Sequence, residues 1–139
     1  MEPVRGGKLM SYKMSSFELK VARILTKNNI NFIREKTFYD LKKGLLRFDF
    51  FLPKERILIE CDGEQHFTQV KFFQRKRKDF TQAQERDRIK NAYCLAHQIP
   101  LFRIPYYDES KIKNLSDLFQ PKYKVTSKFH NDYINPHKQ

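Results

Sequence analysis

Residues 45–62 read LLRFDFFLPKERILIECD, with two apolar segments on either side of Pro53-Lys54-Glu55. Apolar and aromatic segments separated by a short turn are typical of a β-hairpin, so we predict strands over Leu45–Leu52 and Arg56–Asp62. The run Ile57-Leu58-Ile59 is apolar on both faces, as expected of a central strand that is covered on both sides. The hairpin therefore predicts a buried sheet at the centre of the fold.

The hairpin also brings acidic residues together. A loop of either two or four residues at this turn gives the same register, which places Asp49 directly opposite Glu60 with Cβ atoms about 5 Å apart. Asp62 shares a strand face with Glu60, because side chains alternate along a strand. Two carboxylates that close repel each other unless a cation lies between them, and oxygen ligands suit Mg²⁺ or Mn²⁺. Ordinary solvated acids are the alternative, but Asp49 lies inside the apolar run 48–52.

The rest of the chain alternates predicted helices and strands. The predicted elements are a helix over Ser15–Asn29, a strand over Ile30–Phe38, a turn over Tyr39–Gly44, a helix over Thr81–Gln98, a strand over Leu101–Ile104 and a helix over Asp108–Phe119. Ser15 with Glu18, and Thr81 with Gln84, have the spacing of a capping box at a helix start. Residues 63–80 fit no element clearly. The order predicts an α/β domain in which helices flank a small sheet.

The length of 139 residues suits one domain, and 40% hydrophobic residues are enough for a core. We predict a loose arm over residues 1–14, a folded domain over 15–120 and a basic tail over 121–139. The 28 Lys and Arg residues exceed the 16 Asp and Glu residues, which gives a net charge of +12. Such a charge favours a polyanionic partner, most commonly nucleic acid, although ribosomal and structural proteins share it.

Other features bear on the compartment. An anionic membrane surface is the competing partner for a basic protein, but the chain has neither a long apolar run nor a lipidation motif, so we expect no membrane association. Residues 1–14 lack the apolar stretch of a signal peptide. Cys61 and Cys94 are too few for a disulfide framework or a four-ligand zinc site, and reduced thiols suit a cytosol-type compartment. We therefore expect a cytoplasmic protein.

Five pieces of the sequence occur in the order of a known family. They are Glu18 on the first helix, Arg-Phe-Asp-Phe at 47–50, Ile-Glu-Cys-Asp-Gly-Glu-Gln-His at 59–66, a helix with Asp87 and Lys90, and Leu-Phe-Arg-Ile-Pro-Tyr at 101–106. Together they resemble the PD-(D/E)xK nuclease superfamily, particularly the very-short-patch repair endonucleases and the phage EDxHD homing endonucleases. The resemblance implies the restriction-endonuclease-like α/β core, a four-stranded mixed sheet between helices, and Mg²⁺-dependent hydrolysis of DNA phosphodiester bonds.

The resemblance also implies roles for individual residues. Asp49 matches the metal-binding aspartate of the family, and Glu18 matches its helix-borne acid, although the capping box explains Glu18 equally well. Cys61 falls where the repair enzymes bind metal through a main-chain carbonyl. His66 and Asp87 match the histidine and last aspartate of the EDxHD pattern. The expected metal ligands are Asp49, Glu60, Cys61 and Asp62, with Mg²⁺ or Mn²⁺ as the cofactor.

One departure from the family pattern changes the expected chemistry. Asp62 stands where the ExK motif has its lysine, so another residue must supply that function. We predict His66, because an unperturbed pKa of about 6.5 suits proton transfer near neutral pH. Lys90 is the alternative, as a group that orients water or stabilises phosphate charge. For Asp87 with Lys90, the competing interpretation is an ordinary surface ion pair three residues apart on a helix.

Basic residues outside this cluster are predicted to contact DNA phosphates, in a salt-dependent way and without reading bases. They are Lys71, Arg75, Lys76, Arg77, Lys78, Lys122, Lys124 and Lys128. Arg103, alone between apolar neighbours in a short strand, is predicted to meet either a carboxylate of the site or a phosphate. No recognition domain is evident, so high specificity requires a homodimer or a separate partner. The alternative function is a nucleic-acid-binding or structural protein that keeps the fold without cleaving.

Overall fold

The computed structural model describes residues 14–63 and 74–128, with residues 74–80 described by their backbone alone. Residues 1–13 of the predicted N-terminal arm, His66 and Lys71 therefore lie outside the described residues, whereas Met14, the last residue of that predicted arm, packs against the core. Described elements are α1 (Ser16–Lys27), β1 (Ile33–Thr37), β2 (Arg47–Leu52), β3 (Ile57–Asp62), α2 (Gln74–His97), β4 (Leu101–Pro105) and α3 (Leu115–Leu118). Short 3₁₀ helices cover Lys42–Gly44, Tyr106–Lys111 and Pro121–Tyr123.

The strands form a mixed four-stranded sheet in the order β1-β2-β3-β4. β1 pairs antiparallel with β2, and β2 antiparallel with β3, whereas β3 and β4 run parallel. In the hairpin, Phe50 pairs with Ile59 and Leu52 with Ile57, which is the register predicted from the turn. The parallel pair requires a crossover, and α2 provides it. The predicted fold class is thus confirmed as a mixed sheet flanked by helices.

Helices pack on both faces of the sheet. On one face, α1 buries Phe17, Val21 and Leu25 against a cluster that includes Phe50 and Ile59. On the other face, α2 contributes Cys94 to a second cluster, which also contains Leu58 and Leu101. Side chains of β3 alternate between these two clusters, because successive residues of a strand point to opposite faces. The face towards α2 is the one that carries Glu60 and Asp62.

The capping box predicted at the start of α1 is present. The Ser15 hydroxyl accepts a hydrogen bond from the Glu18 N–H, and the Glu18 carboxylate accepts one from the Ser15 N–H, both at 3.1 Å. The helix ends at Lys27, and Asn29, two residues later, has a left-handed φ of 58°, which allows the Ile30 N–H to bond the Leu25 carbonyl. These two ends confirm the predicted helix to within two residues.

The helix predicted over Thr81–Gln98 begins seven residues too late. α2 starts at Gln74 and already includes the run Arg75-Lys76-Arg77-Lys78, so Thr81 lies in the helix interior and the second capping box is wrong. The physical reason is that these basic residues bring no apolar periodicity, which is the signal that marks a buried helix face. No helix in the described ranges is long and apolar enough to cross a membrane.

The helix predicted over Asp108–Phe119 is also wrong. The segment forms a 3₁₀ helix, an extended residue at Ile112 and then α3. Asn114 caps α3 by accepting from the Asp117 N–H, and the Asp117 carboxylate accepts from the Asn114 N–H. Such local side-chain bonds start a new helix and end the preceding one. Ile112 is buried in the core, which holds the chain extended between the two turns.

The first residues of the predicted basic tail are packed on the domain. Tyr123 and Val125 are buried, and the Tyr123 hydroxyl donates to Asp108 at 2.7 Å. Lys124 forms an isolated antiparallel bridge with Phe102 of β4. The folded domain therefore extends at least to Val125, five residues beyond the predicted boundary.

Candidate active site

The site is centred on Asp49, at the point where β2 and β3 stop pairing through their backbones. The last backbone pair in that direction is Phe50 with Ile59. Beyond it, the Asp49 carboxylate accepts a hydrogen bond from the Cys61 N–H at 2.8 Å. On the other side of β2, the register of its pairing with β1 places Glu35 opposite Asp49, and Glu35 has a left-handed φ of 56°. The Asp49 carboxylate thus accepts a hydrogen bond from β3 that a backbone carbonyl of β2 would ordinarily accept.

Asp49 and Glu60 lie side by side, as the predicted register requires. The pKa of Asp49 is raised well above its ordinary value, first by burial, then by the charges of Glu60 and Glu18 and by a hydrogen bond to Glu60. The bond from the Cys61 N–H opposes this rise. Desolvation and like charges both disfavour a carboxylate. A cation between these acids would offset the repulsion that adds to the effect of burial.

Lys90 of α2 supplies a cation to this group from within the chain. Its Nζ lies 2.6 Å from Glu60 Oε1, and the two side chains are only 12% and 5% exposed. The same Nζ lies 5.1 Å from the centre of the Phe48 ring. An ion pair with this little exposure is screened much less than a surface pair. The surface-pair interpretation of Lys90 with Asp87 is therefore wrong, because Lys90 pairs with Glu60.

Glu18 lies on the opposite side of Asp49 and is held by a second cation. Arg34 NH2 lies 3.4 Å from Glu18 Oε1, and Arg34 is buried. The guanidinium also stands over the Phe50 ring at 5.5 Å. Glu18 therefore both caps α1 and contributes negative charge at Asp49, so its two predicted roles are compatible. Arg34 was not predicted, since it joins the site only through the pairing of β1 with β2.

Asp62 does not join this group, although it was predicted as a metal ligand. Its carboxylate is buried and accepts two hydrogen bonds from Arg103 NH1, at 2.9 and 3.1 Å. Arg103 NH2 lies 3.4 Å from Asp87 Oδ1, and Arg103 Nε donates to Asn91 Oδ1 at 2.6 Å. Of the two partners predicted for Arg103, the structure shows carboxylates. At 1% exposure Arg103 is not placed to contact a phosphate, and Asp62 is engaged in an ion pair.

Cys61 contributes through its main chain. Burial and the surrounding carboxylates, Asp49 first among them, raise the pKa of the Cys61 thiol well above its ordinary value. A thiol that resists ionisation is a poor nucleophile, since the thiolate is the reactive form. The backbone of Cys61 is in contact with Asp49, so its carbonyl remains the predicted contribution of this residue.

The donors at the hairpin fit a hard divalent cation. Two adjacent carboxylates, Asp49 and Glu60, and a main-chain carbonyl at Cys61 are oxygen ligands of the kind Mg²⁺ and Mn²⁺ prefer. The fit rests on the adjacency of these carboxylates, whose mutual repulsion, together with burial, raises the pKa of Asp49. In the part of the chain that the structure describes, no group of three or more His, Cys, Asp and Glu side chains is arranged to hold a metal ion.

The residues predicted to contact DNA phosphates lie in two parts of the chain. Arg75, Lys76, Arg77 and Lys78 lie in the first turns of α2, and their side chains are outside the described atoms. Lys122, Lys124 and Lys128 are exposed. Lys122 Nζ lies 3.9 Å from Asp108 Oδ2, a surface pair at the side of the domain that carries Tyr123. Their predicted contacts with DNA stay predictions.

Comparison with known proteins assigns no family. No family model matches the chain, and no solved structure matches it. One relative is an uncharacterized protein, 307L, of Invertebrate iridescent virus 6, which is 30% identical over 61 residues. The match covers 44% of this chain and 31% of the viral protein, so the chain spans about a third of that relative's length.

Proposed function

We propose that this protein is a Mg²⁺-dependent endodeoxyribonuclease with a restriction-endonuclease-like fold. One observation carries the proposal: Asp49 and Glu60 lie side by side on adjacent strands, and Lys90 lies 2.6 Å from Glu60. Two acids and a lysine are the side chains of the PD-(D/E)xK motif. Here the lysine comes from α2, because Asp62 occupies the strand position of the motif lysine.

Asp49, Glu60 and the carbonyl of Cys61 are the groups that would hold the metal. A bound divalent ion supplies Lewis-acid stabilisation of the scissile phosphate and makes hydroxide available near neutral pH. The raised pKa of Asp49 means that cation binding competes with a proton at this carboxyl group. Metal affinity is therefore expected to increase with pH.

Lys90 is the fixed positive charge of the site. Its side chain is held between Glu60 and the Phe48 ring, so the ammonium group cannot move freely. A fixed cation near the reacting phosphate stabilises the negative charge that develops there. His66, the residue predicted from sequence to move the proton, lies outside the described residues and stays a prediction.

DNA is the proposed substrate because of charge. The chain has a net charge of +12, and three of its described acids, Glu60, Asp62 and Asp87, are buried at or beside the site. A cation-binding site in a basic protein fits a phosphodiester substrate, whose charge both the metal and the surface attract. Repair, homing and recombination nucleases share this chemistry.

The test is cleavage of supercoiled plasmid in Mg²⁺ or Mn²⁺ by the wild-type protein and by Asp49→Asn. We expect the wild type to nick or linearise the plasmid and Asp49→Asn to lose cleavage, while its DNA binding is retained. Glu55→Gln is the matched control, because Glu55 is an exposed acid in the turn of the same hairpin. Equal cleavage by Asp49→Asn and the control would overturn the proposal.

The second candidate is a DNA-binding protein that retains the fold without cleaving. It is favoured by the buried pairing of Asp62 with Arg103, which withholds one acid from the metal. The two candidates differ in thermal shift. A ligand that binds only the folded state raises the melting temperature, so Mn²⁺ should stabilise the nuclease and leave a vestigial site unchanged. Asp49→Asn should cancel that stabilisation.

A further inference from the structure

Arg103 joins three parts of the fold beneath the proposed site. It lies on β4, and its guanidinium contacts Asp62 at the end of β3 and both Asp87 and Asn91 on α2. The side chains of Arg103, Asp62 and Asp87 are at most 3% exposed. Arginine suits this position because its planar fork can meet several acceptors at once, which a lysine ammonium does with less geometric control.

The contacts of Arg103 on α2 lie on either side of Lys90 in the sequence. Asp87 precedes Lys90 by one turn, and Asn91 follows it directly. Residues three and four apart share a helix face, so Asp87 and Asn91 fix the rotation and the axial position of α2 at this turn. The rotation of α2 sets the position of the Lys90 Cα and the direction in which its side chain leaves the helix. The aliphatic chain of Lys90 then spans the remaining distance between α2 and Glu60.

We propose that Arg103 is a positioning residue which sets α2 so that Lys90 meets Glu60, and that Asp62 and Asp87 act through Arg103. The proposal rests on the proposed function, in which Lys90 is the cation of the site. It explains why an aspartate stands at the motif position of the lysine. Asp62 holds the arginine that anchors α2, and α2 in turn delivers the lysine.

A single substitution in this network changes the charge that surrounds Arg103. Arg103 faces two buried carboxylates, so neutralising Asp87 leaves Arg103 still paired with Asp62 and leaves no buried charge without a partner. Asp87→Asn keeps the shape of the side chain and its oxygen but removes its charge. The variant therefore weakens the contact between Arg103 and α2 and leaves intact the two hydrogen bonds from Arg103 NH1 to Asp62.

The experiment is a double-mutant cycle of Asp87→Asn with Lys90→Ala, read as the single-turnover cleavage rate. We expect Asp87→Asn to lower the rate by about tenfold or more, since a displacement of about 1 Å costs up to about a hundredfold. KM for DNA and the metal concentration for half-maximal rate should stay unchanged. In the Lys90→Ala background, Asp87→Asn should have no further effect. Independent losses, or a weakened metal affinity, would overturn the proposal.

Two further variants keep the test decisive. Arg103→Lys retains the buried charge without the fork, and should show the same coupling to Lys90→Ala if Asp87→Asn fails to fold. Tyr123→Phe is the matched control, because it removes another hydrogen bond to a buried carboxylate, that of Asp108, on the far side of the fold. Its effect on the rate, if any, should combine independently with that of Lys90→Ala.

One readout separates this proposal from the proposed function. The coupling of Glu60 with Lys90 can be measured from the unfolding equilibrium of Glu60→Gln, Lys90→Met and the double variant, with no cleavage involved. When this coupling is expressed as an equilibrium constant, Asp87→Asn should reduce it several-fold. The reduction is expected even if the wild-type protein does not cleave DNA. An unchanged coupling would refute positioning whether or not the protein is a nuclease.

Discussion

The carboxyl group of Asp49 is half-buried beside Glu60 and Glu18, which raises its pKa. Its ionised form is therefore disfavoured in the folded state relative to the unfolded chain. We predict that Asp49→Asn stabilises the metal-free protein at neutral pH. Asparagine keeps an oxygen to accept from the Cys61 N–H and carries no charge. We therefore expect a higher free energy of unfolding for the variant, because it removes a charge that folding desolvates and places beside other carboxylates.

The pH dependence of that gain has a definite sign. A carboxyl group whose pKa is raised by folding binds more protons in the folded state, so its contribution to stability falls as pH rises from the unfolded pKa, about 3.9, through the folded pKa. Urea unfolding in EDTA should show the advantage of Asp49→Asn appearing above about pH 4 and increasing to a plateau. A wild type that is equally stable at pH 7 would contradict the account.

His66 and Lys90 have separable predicted roles. Truncating a proton-transfer group costs about 10²–10⁴ in rate, so His66→Ala should reduce the single-turnover rate by that order with metal affinity changed much less. Lys90→Ala removes a fixed charge, and its loss of rate should not vary with pH. The pH–rate profiles of both variants make the comparison. If His66→Ala cuts normally and Lys90→Ala is inactive, Lys90 alone replaces the motif lysine.

Sequence reasoning placed some residues of the site accurately and others not at all. Asp49 opposite Glu60 follows from the turn alone, because hairpin pairing is a local property. The partners of Lys90, Arg103 and Arg34 are set by how α2, β4 and β1 pack, which no local pattern encodes. Arg103 was expected to need an anion, yet the sequence left open whether that anion was a carboxylate or a phosphate.

At the scale of elements, α2 begins with an unfavourable charge pattern. Arg75-Lys76-Arg77-Lys78 occupies its first turns, with no acid in the first turn, whereas the positive end of a helix dipole favours acids there. We predict that replacing all four by glutamine weakens DNA binding and reduces the log–log salt slope by roughly 0.9 for each phosphate that the protein no longer neutralises. The melting temperature should stay equal or rise. An unchanged slope would mean that the run faces away from DNA.

Predicted elements succeeded where an apolar face or a local cap marks them. The capped start of α1 and the strands β2, β3 and β4 fall within two residues of their predicted bounds. The start of α2 and the region after β4 failed for different reasons. The first turns of α2 are basic and carry no periodic signal, and Asn114 with Asp117 opens a new helix inside an apparently continuous one.

At the scale of the molecule, the C-terminal limit of the domain is testable by truncation. Tyr123 and Val125 are buried, and Lys124 bridges to β4. We predict that ending the chain after Gln120 destabilises the protein by several kcal/mol, in line with the loss of large buried side chains. Ending it after Lys128 should leave the unfolding midpoint nearly unchanged. Circular dichroism melts of both truncations make the measurement, and two equal melts would contradict the extended boundary.

The parallel pairing of β3 with β4 has a consequence for the order of folding. The hairpin of β2 and β3 closes a four-residue loop, whereas Leu58 and Leu101 are more than forty residues apart in the chain. Local contacts form in microseconds, and distant parallel strands pair much later because of the entropy of loop closure. Asp49 and Glu60 therefore come together early, and Lys90 reaches them only after α2 and β4 have docked. A nascent chain would thus hold its acids together before the lysine that completes the site arrives.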